Sequence, residues 1–235
     1  MTSDEFKSLA QVNAAIVACE KCPRLRQYCT AVAREKRRAF REETYWGKPV
    51  PGFGDPEAHL LIVGLAPAAH GGNRTGRMFT GDRSGDFLYA ALHRAGFANQ
   101  PIATSRDDGL QLIDAYIAAS GRCAPPDNKP TPAELDKCRQ YLIEDLRLLK
   151  EARVIVALGK VAFDNVLVAL ADRGVGIPRP RPAFGHEAIY RLNEYILIGS
   201  YHPSQRNTQT GLLTPAMFDR IFRQAEQALH PPHRR

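Results

Sequence analysis

The chain has 235 residues, 44% of them hydrophobic and 24% charged, which suits one ordinary domain and excludes global disorder. No run of about 18 apolar residues occurs, which rules out a membrane-spanning helix. The opening Met1-Thr2-Ser3-Asp4-Glu5 lacks the basic-then-apolar pattern of a secretory signal, so a cytoplasmic protein is expected. Lys and Arg number 32 against 25 Asp and Glu, a net +7. The excess is concentrated: Lys21 to Lys48 carries nine basic and three acidic residues, a net +6. Such a stripe fits a phosphate-rich partner, and fits a solvated surface equally well. The five cysteines (Cys19, Cys22, Cys29, Cys123, Cys138) are an odd count, which argues against a disulfide framework and leaves metal binding or free thiols.

In chain order, residues 3–18 read as a helix with Ser3 as cap and Leu9, Val12 and Ile16 at helical spacing. Residues 19–58 read as a basic, irregular stretch, ending in Pro49, Pro51, Gly52, Gly54 and Pro56. His59–Leu65 is a buried strand, 66–83 a Gly-rich loop, and a helix follows from Asp82 or Ser84 to about Ala95. Leu112–Ala119 is a second strand. Thr131-Pro132-Ala133-Glu134 is a capping box that opens a helix with Leu135, Cys138, Leu142, Leu146 and Leu149 on one face. Val154–Leu158 is a third strand, followed by a helix over 160–171 and a Pro/Gly connection over 174–187. Tyr195–Ser200 is a fourth strand, Thr214-Pro215 starts the last helix, and the tail from His230 to Arg235 is expected to fray.

Four apolar strands alternating with helices predict an α/β fold, a three-layer α/β/α sandwich around a four-stranded parallel sheet. The chain is read as one domain, with residues 1–58 as an N-terminal basic segment and 59–229 as the core. Ligands of such sheets sit at the carboxyl ends of the strands. The unusual loops 66–83, 120–130 and 202–214 all fall at those ends.

Three constellations carry chemistry. The first runs from Gly64-Leu65-Ala66-Pro67-Ala68-Ala69-His70-Gly71 to Phe79-Thr80-Gly81-Asp82; its small residues let a ligand approach the backbone closely. It matches neither the P-loop nor the dinucleotide fingerprint. Phe79 is a stacking platform or a core plug, and Asp82 a catalytic carboxylate or the cap of the next helix. The second is His202-Pro203-Ser204-Gln205-Arg206-Asn207. An imidazole directly after a buried strand can stabilise charge on a leaving group. The third pairs Cys19-x-x-Cys22 with Cys123 and Cys138; four thiolates suit zinc or an iron–sulfur cluster, and Cys138 also fits a plain core position.

Taken together with Arg122-Cys123-Ala124-Pro125-Pro126-Asp127-Asn128-Lys129-Pro130, these residues resemble the uracil-DNA glycosylase superfamily, and within it the type B, iron–sulfur enzymes of family 5. The resemblance spans about residues 15–225. It implies a three-layer fold and a [4Fe–4S] cluster on Cys19, Cys22, Cys123 and Cys138, with Cys29 a free thiol. It implies DNA carrying deaminated bases as partner, with Gln205, Arg206 and Asn207 at the DNA. Phe79 would stack on the extruded base and His202 would meet the base's O2 side. Asp82 would handle the water, and Asn128 would help position base or water. Gly64, Leu65, Ala66 and Ala119 would line the pocket.

The chain departs from uracil-specific relatives of that superfamily at two places. They carry a polar or acidic residue just after the first glycine and an Asn on the second strand; here stand Leu65-Ala66 and Ala119. The first change transfers the water-handling role to Asp82. The second removes the amide that reads uracil and predicts a tolerant pocket accepting hypoxanthine as well as uracil. A monomer is the default. Two other readings compete: a non-catalytic iron–sulfur nucleic-acid-binding protein in which Asp82 is only a cap, and a nucleotide hydrolase, which would not need the basic stripe.

Overall fold

Strand formation follows the four apolar runs. In the computed structural model, which describes residues 6–230, they become β2 (Leu60–Gly64), β3 (Ala115–Ala119), β4 (Val154–Leu158) and β6 (Tyr195–Ser200). They pair in parallel in the order β3-β2-β4-β6. All residues of β2, β3 and β4 are buried, as strands covered on both faces must be.

Side chains alternate between two cores. Leu60, Ile62, Ile117, Val156 and Ile198 face α4 (Arg83–Arg94) and α8 (Pro215–Leu229), where Leu88, Leu92, Phe218 and Phe222 cover them. Leu61, Val63, Ala118, Ile155 and Leu197 face α5 (Pro132–Leu148) and α6 (Lys160–Asp172), against Leu142, Leu146, Phe163 and Val166. The result is the expected α/β/α sandwich.

The sheet is wider than four strands. Two short antiparallel strands extend it: β1 (Phe53–Gly54) pairs with β3, and β5 (Ile189–Leu192) pairs with β6. Both lie at edges, where Pro-rich flanks are tolerated, and β5 alternates between exposed and buried instead of reading as an apolar run. The stretch 19–58 is also more regular than expected. Pro23 opens α2 (Pro23–Glu35), which buries Leu25 and Cys29. A weak apolar stripe among many cations obscured this helix in the sequence.

The first helix, α1 (Leu9–Val17), starts later than read, with Ser8 as cap, and lays Val12 and Ile16 against Tyr141 of α5. The cap assigned to Ser3 and the tail from residue 231 lie outside the described residues. Thr131 and Glu134 form the reciprocal capping box on α5. Glu134 also takes two hydrogen bonds from Arg24, 2.8 and 2.7 Å long, which ties α2 to the start of α5. Among the described residues no helix is long and apolar enough to cross a membrane.

Candidate active site

Parallel register brings the carboxyl ends of β2 and β3 level. Gly64 stands opposite Ala119, and the zipper continues beyond the strands as the Ser120 amide donates to the Gly64 carbonyl (2.9 Å) and the Gly121 amide to the Leu65 carbonyl (2.8 Å). Leu65 and Ala66 are half-buried at this rim, and Ala119 is fully buried.

The loop after β2 is held by two buried arginines. Arg74 donates to the His70 and Gly81 carbonyls at 2.8 Å each, pairs with Glu43 and lies over the Phe40 ring at 3.9 Å. Arg77 forks onto both oxygens of Asp108 at 2.8 Å and donates to Thr80 Oγ1 at 2.9 Å. Hydrogen-bonded forks of this kind fix a loop that has almost no regular structure of its own. Charge count alone left both arginines invisible as structural parts, because nothing in the sequence says that they are buried.

Between these anchors the chain delivers Phe79 in a left-handed conformation, φ 53°. Its ring lies against Gly64, where a Cβ would stand 2.9 Å from the ring edge, and 5.9 Å from the His202 ring at a 32° tilt. It packs on the same core face as Ala119. The plug reading holds for one edge of the ring, which packs on the core, while another side of it lies near His202.

Asp82 serves two purposes. Its Oδ1 accepts the Gly85 amide at 2.9 Å as the N-cap of α4. Its Oδ2 points at Gly71, so closely that a Cβ there would overlap it. Burial raises the carboxyl's pKa, with the Gly85 and Ser84 amides pulling the other way.

His202 follows β6 and is held through its backbone. Its carbonyl accepts from Asn207 Nδ2 (2.9 Å) and from the Ser204 amide (2.8 Å). The preceding Tyr201 amide donates to His186 Nδ1 at 3.2 Å, and those two rings stack 4.8 Å apart. Burial alone lowers the His202 pKa to about 4, so the ring is neutral at neutral pH. Of the three residues expected at DNA, Gln205 and Arg206 are exposed on the short α7 (Gln205–Gln209), whereas Asn207 is turned inward onto His202. Asn128 lies on an exposed turn, φ 56°, where its side chain makes no hydrogen bond among the described residues.

The basic segment borders this rim. Tyr45 bonds His70 Nδ1 at 2.9 Å, and Arg37 donates its amide to the Tyr45 hydroxyl at 3.4 Å. Burial and the charges of Arg37 and Arg74 together lower the His70 pKa. Arg34, Arg37, Arg38 and Arg41 are all exposed.

A separate cavity gathers Cys19, Cys22, Cys123 and Cys138, joined by Arg26, Arg122 and Lys137. All five cysteines are free thiols. Burial pushes Cys22 up and Cys138 up to about 11. The Arg122 amide donates to Cys138 Sγ at 3.3 Å. Cys29 does not line the cavity; it is buried beside Cys123, with its thiol 3.5 Å from the Ala124 carbonyl. Among the described residues no three His, Cys, Asp or Glu side chains are grouped so as to hold a single metal ion.

Two outcomes are expected at the rim. Gly71→Ala should displace the Asp82 carboxylate while leaving the cap on α4 in place; circular dichroism should be unchanged and any reaction needing Asp82 should slow at least tenfold. The His202 imidazole should stay neutral from the ordinary histidine value of about 6.5 down to about 4, followed by NMR titration of the ring nitrogens. Protonation near 6.5 would mean that water reaches the ring freely.

Residues 51–226 match the family described as the uracil DNA glycosylase superfamily. A type-5 uracil-DNA glycosylase of Mycobacterium bovis is 53% identical, over 94% of this chain and 81% of that protein. One from Mycobacterium leprae is 52% identical over 97% of this chain and 98% of its own. One from Thermus thermophilus is 49% identical over 90% and 94%. The chain belongs to the uracil-DNA glycosylase superfamily, on its type-5 branch.

Proposed function

We propose that the protein is a DNA-repair hydrolase that takes a deaminated base, uracil or hypoxanthine, out of the DNA stack and cleaves its N-glycosidic bond, leaving an abasic site. The observation that supports this reading is the contact of Phe79 with His202, from two distant loops after β2 and β6, with Asp82 three residues beyond Phe79 and against Gly71. The family and the type-5 relatives support a glycosylase acting on DNA.

The chemistry follows from what each group offers. A base within a duplex is out of reach, so it is extruded, at a cost of a few kcal/mol, and stacks on Phe79. As the glycosidic bond breaks, its electron pair leaves with the base and the sugar becomes oxocarbenium-like. The neutral His202 ring donates a hydrogen bond to the negative charge growing on the base. The Asp82 carboxylate orients water toward the sugar C1′, offsets the cation and takes the water's proton. Asn128 completes the assignment by helping to position base or water. Gln205 and Arg206 contact the DNA backbone together with Arg34, Arg37, Arg38 and Arg41, while Asn207 acts through the His202 carbonyl. The same reading takes the chain as one domain, acting as a cytoplasmic monomer.

Tolerance for hypoxanthine rests on what lines the pocket. Leu65, Ala66 and Ala119 have no polar group that a wrong base would leave unpaired. Stacking on Phe79 and backbone hydrogen bonds remain, and both accept more than one base. Asp82→Ala and His202→Ala should each lower single-turnover base release by about a hundredfold, on the order of 3 kcal/mol, with folding unchanged. Wild-type protein should release both uracil and hypoxanthine from matched duplexes. Full activity in Asp82→Ala would leave that residue only its cap, and hypoxanthine release at background would overturn the tolerant pocket.

The reading includes a [4Fe–4S] cluster on Cys19, Cys22, Cys123 and Cys138. The donor chemistry supports it: four thiols, none in a disulfide, line one cavity together with Lys21, Arg26, Arg122, Lys137 and one acid, Glu134. Such a group is held by thiolates, and so would ionise the Cys22 and Cys138 thiols, which burial makes reluctant to ionise. There it would supply a cross-link from the end of α1 and the start of α2 to α5. Protein purified without oxygen should be brown and hold about four irons per chain; zinc as sole metal would refute the cluster.

A further inference from the structure

Arg122 is a buried cation whose surroundings do not account for it. It lies between β3 and Cys123, and its side chain is 2% exposed. Its Nη2 pairs with Asp145, itself fully buried, but its Nε and Nη1 have no hydrogen-bond partner, and neither does Asp145 Oδ1. Burying a guanidinium costs several kcal/mol unless its donors are satisfied. One carboxylate contact leaves most of that fork unfilled.

The residue borders a cavity rich in sulfur. Arg122 lines the four-cysteine cavity, whereas Asp145 does not. Its amide already donates to Cys138 Sγ at 3.3 Å. Four thiolates outweigh the positive charge of an iron–sulfur core, so the group they hold is a net anion.

We infer that Arg122, steadied from behind by Asp145, is the buried counter-ion of the thiolate-bound cluster, with its free N–H groups serving the cluster's sulfurs. This rests on the cluster reading given above. Arg122 is here a positioning residue: it touches neither DNA nor the reacting atoms. Hydrogen bonds and charge near the sulfurs set the reduction potential of such centres and how firmly they are held. A cation close by favours the reduced, more negative state. Asp145 opposes it from farther away.

The experiment compares three proteins as purified with their iron: wild type, Asp145→Asn, and Arg122→Gln combined with Asp145→Asn. The double variant keeps no unpaired buried charge, so folding is not put at risk by a stranded carboxylate. Reduction potentials are measured by spectroelectrochemistry, and iron loss to a chelator by bleaching of the visible band. The double variant should have a lower potential than wild type and lose iron several-fold faster. Asp145→Asn, which keeps the cation and drops its opponent, should shift the potential upward. Opposite shifts in the two variants are not what a merely structural pair produces. A wild-type potential and wild-type iron loss in the double variant would overturn the counter-ion role while leaving the cluster intact. If the double variant fails to fold, an unchanged or lowered potential in Asp145→Asn overturns it. Wild-type protein without iron would overturn the cluster reading and the inference with it.

Discussion

Phe79 can stand where it does only because glycine occupies two positions that touch it. A Cβ at Gly64 would press on the ring, and one at Gly85 would overlap the Phe79 carbonyl oxygen. The first contact sets the ring at the level where β2 and β3 end together. The second seats the Phe79 backbone directly on the first turn of α4. Asp82, three residues on, then has to be the residue that caps this helix, and its second oxygen has to face Gly71. The geometry of the rim follows from these close approaches, and Arg74 and Arg77 keep the loop from relaxing out of them.

Water exclusion shapes the chemistry at that rim. Burial pushes Asp82 and His202 in opposite directions, the carboxyl up and the imidazole down, because in both cases the charged form is disfavoured. A neutral imidazole suits a hydrogen-bond donor to a departing anion. A carboxylate poorly solvated by water but bonded by the Gly85 amide is a focused negative charge, which suits the proposed role beside a developing cation. The cap does not compete with the proposed catalytic role, since it uses Oδ1 and leaves Oδ2 facing Gly71.

The cysteine cavity solves a different problem. The segment that carries Cys19 and Cys22 brings most of the chain's excess positive charge, and few apolar contacts bind it to the core: α1 packs on α5, and α2 buries only Leu25 and Cys29. Arg24 on Glu134 and Tyr45 on His70 add polar tethers at its two ends. A group held jointly by four thiolates would fasten the middle. That fastening matters because the segment presents Arg37, Arg38 and Arg41 beside the loop that carries Phe79.

Local order was determined by the sequence itself. Apolar runs bounded by Gly and Pro specified three of the four parallel strands to within a residue and the second, read from Leu112, three residues too early, and Thr131-Pro132-Ala133-Glu134 specified its capping box, because both depend on neighbours in the chain. The motif residues also pointed to one common rim, since a parallel sheet places every loop after a strand at one edge. Tertiary structure decided the rest. The edge strands β1 and β5 exist only through pairing with β3 and β6, and α2 is amphipathic only relative to the cavity it covers. Asn207 reads as a surface polar residue until His202 is found to offer it a carbonyl. Arg122 reads as one more cation until burial removes its water and leaves two of its nitrogens without a partner. For the edge strands, α2 and Arg122 the deciding partner lies far away in sequence, and burial, which shifts the Asp82 carboxyl up and the His202 imidazole down, is a property of the folded whole.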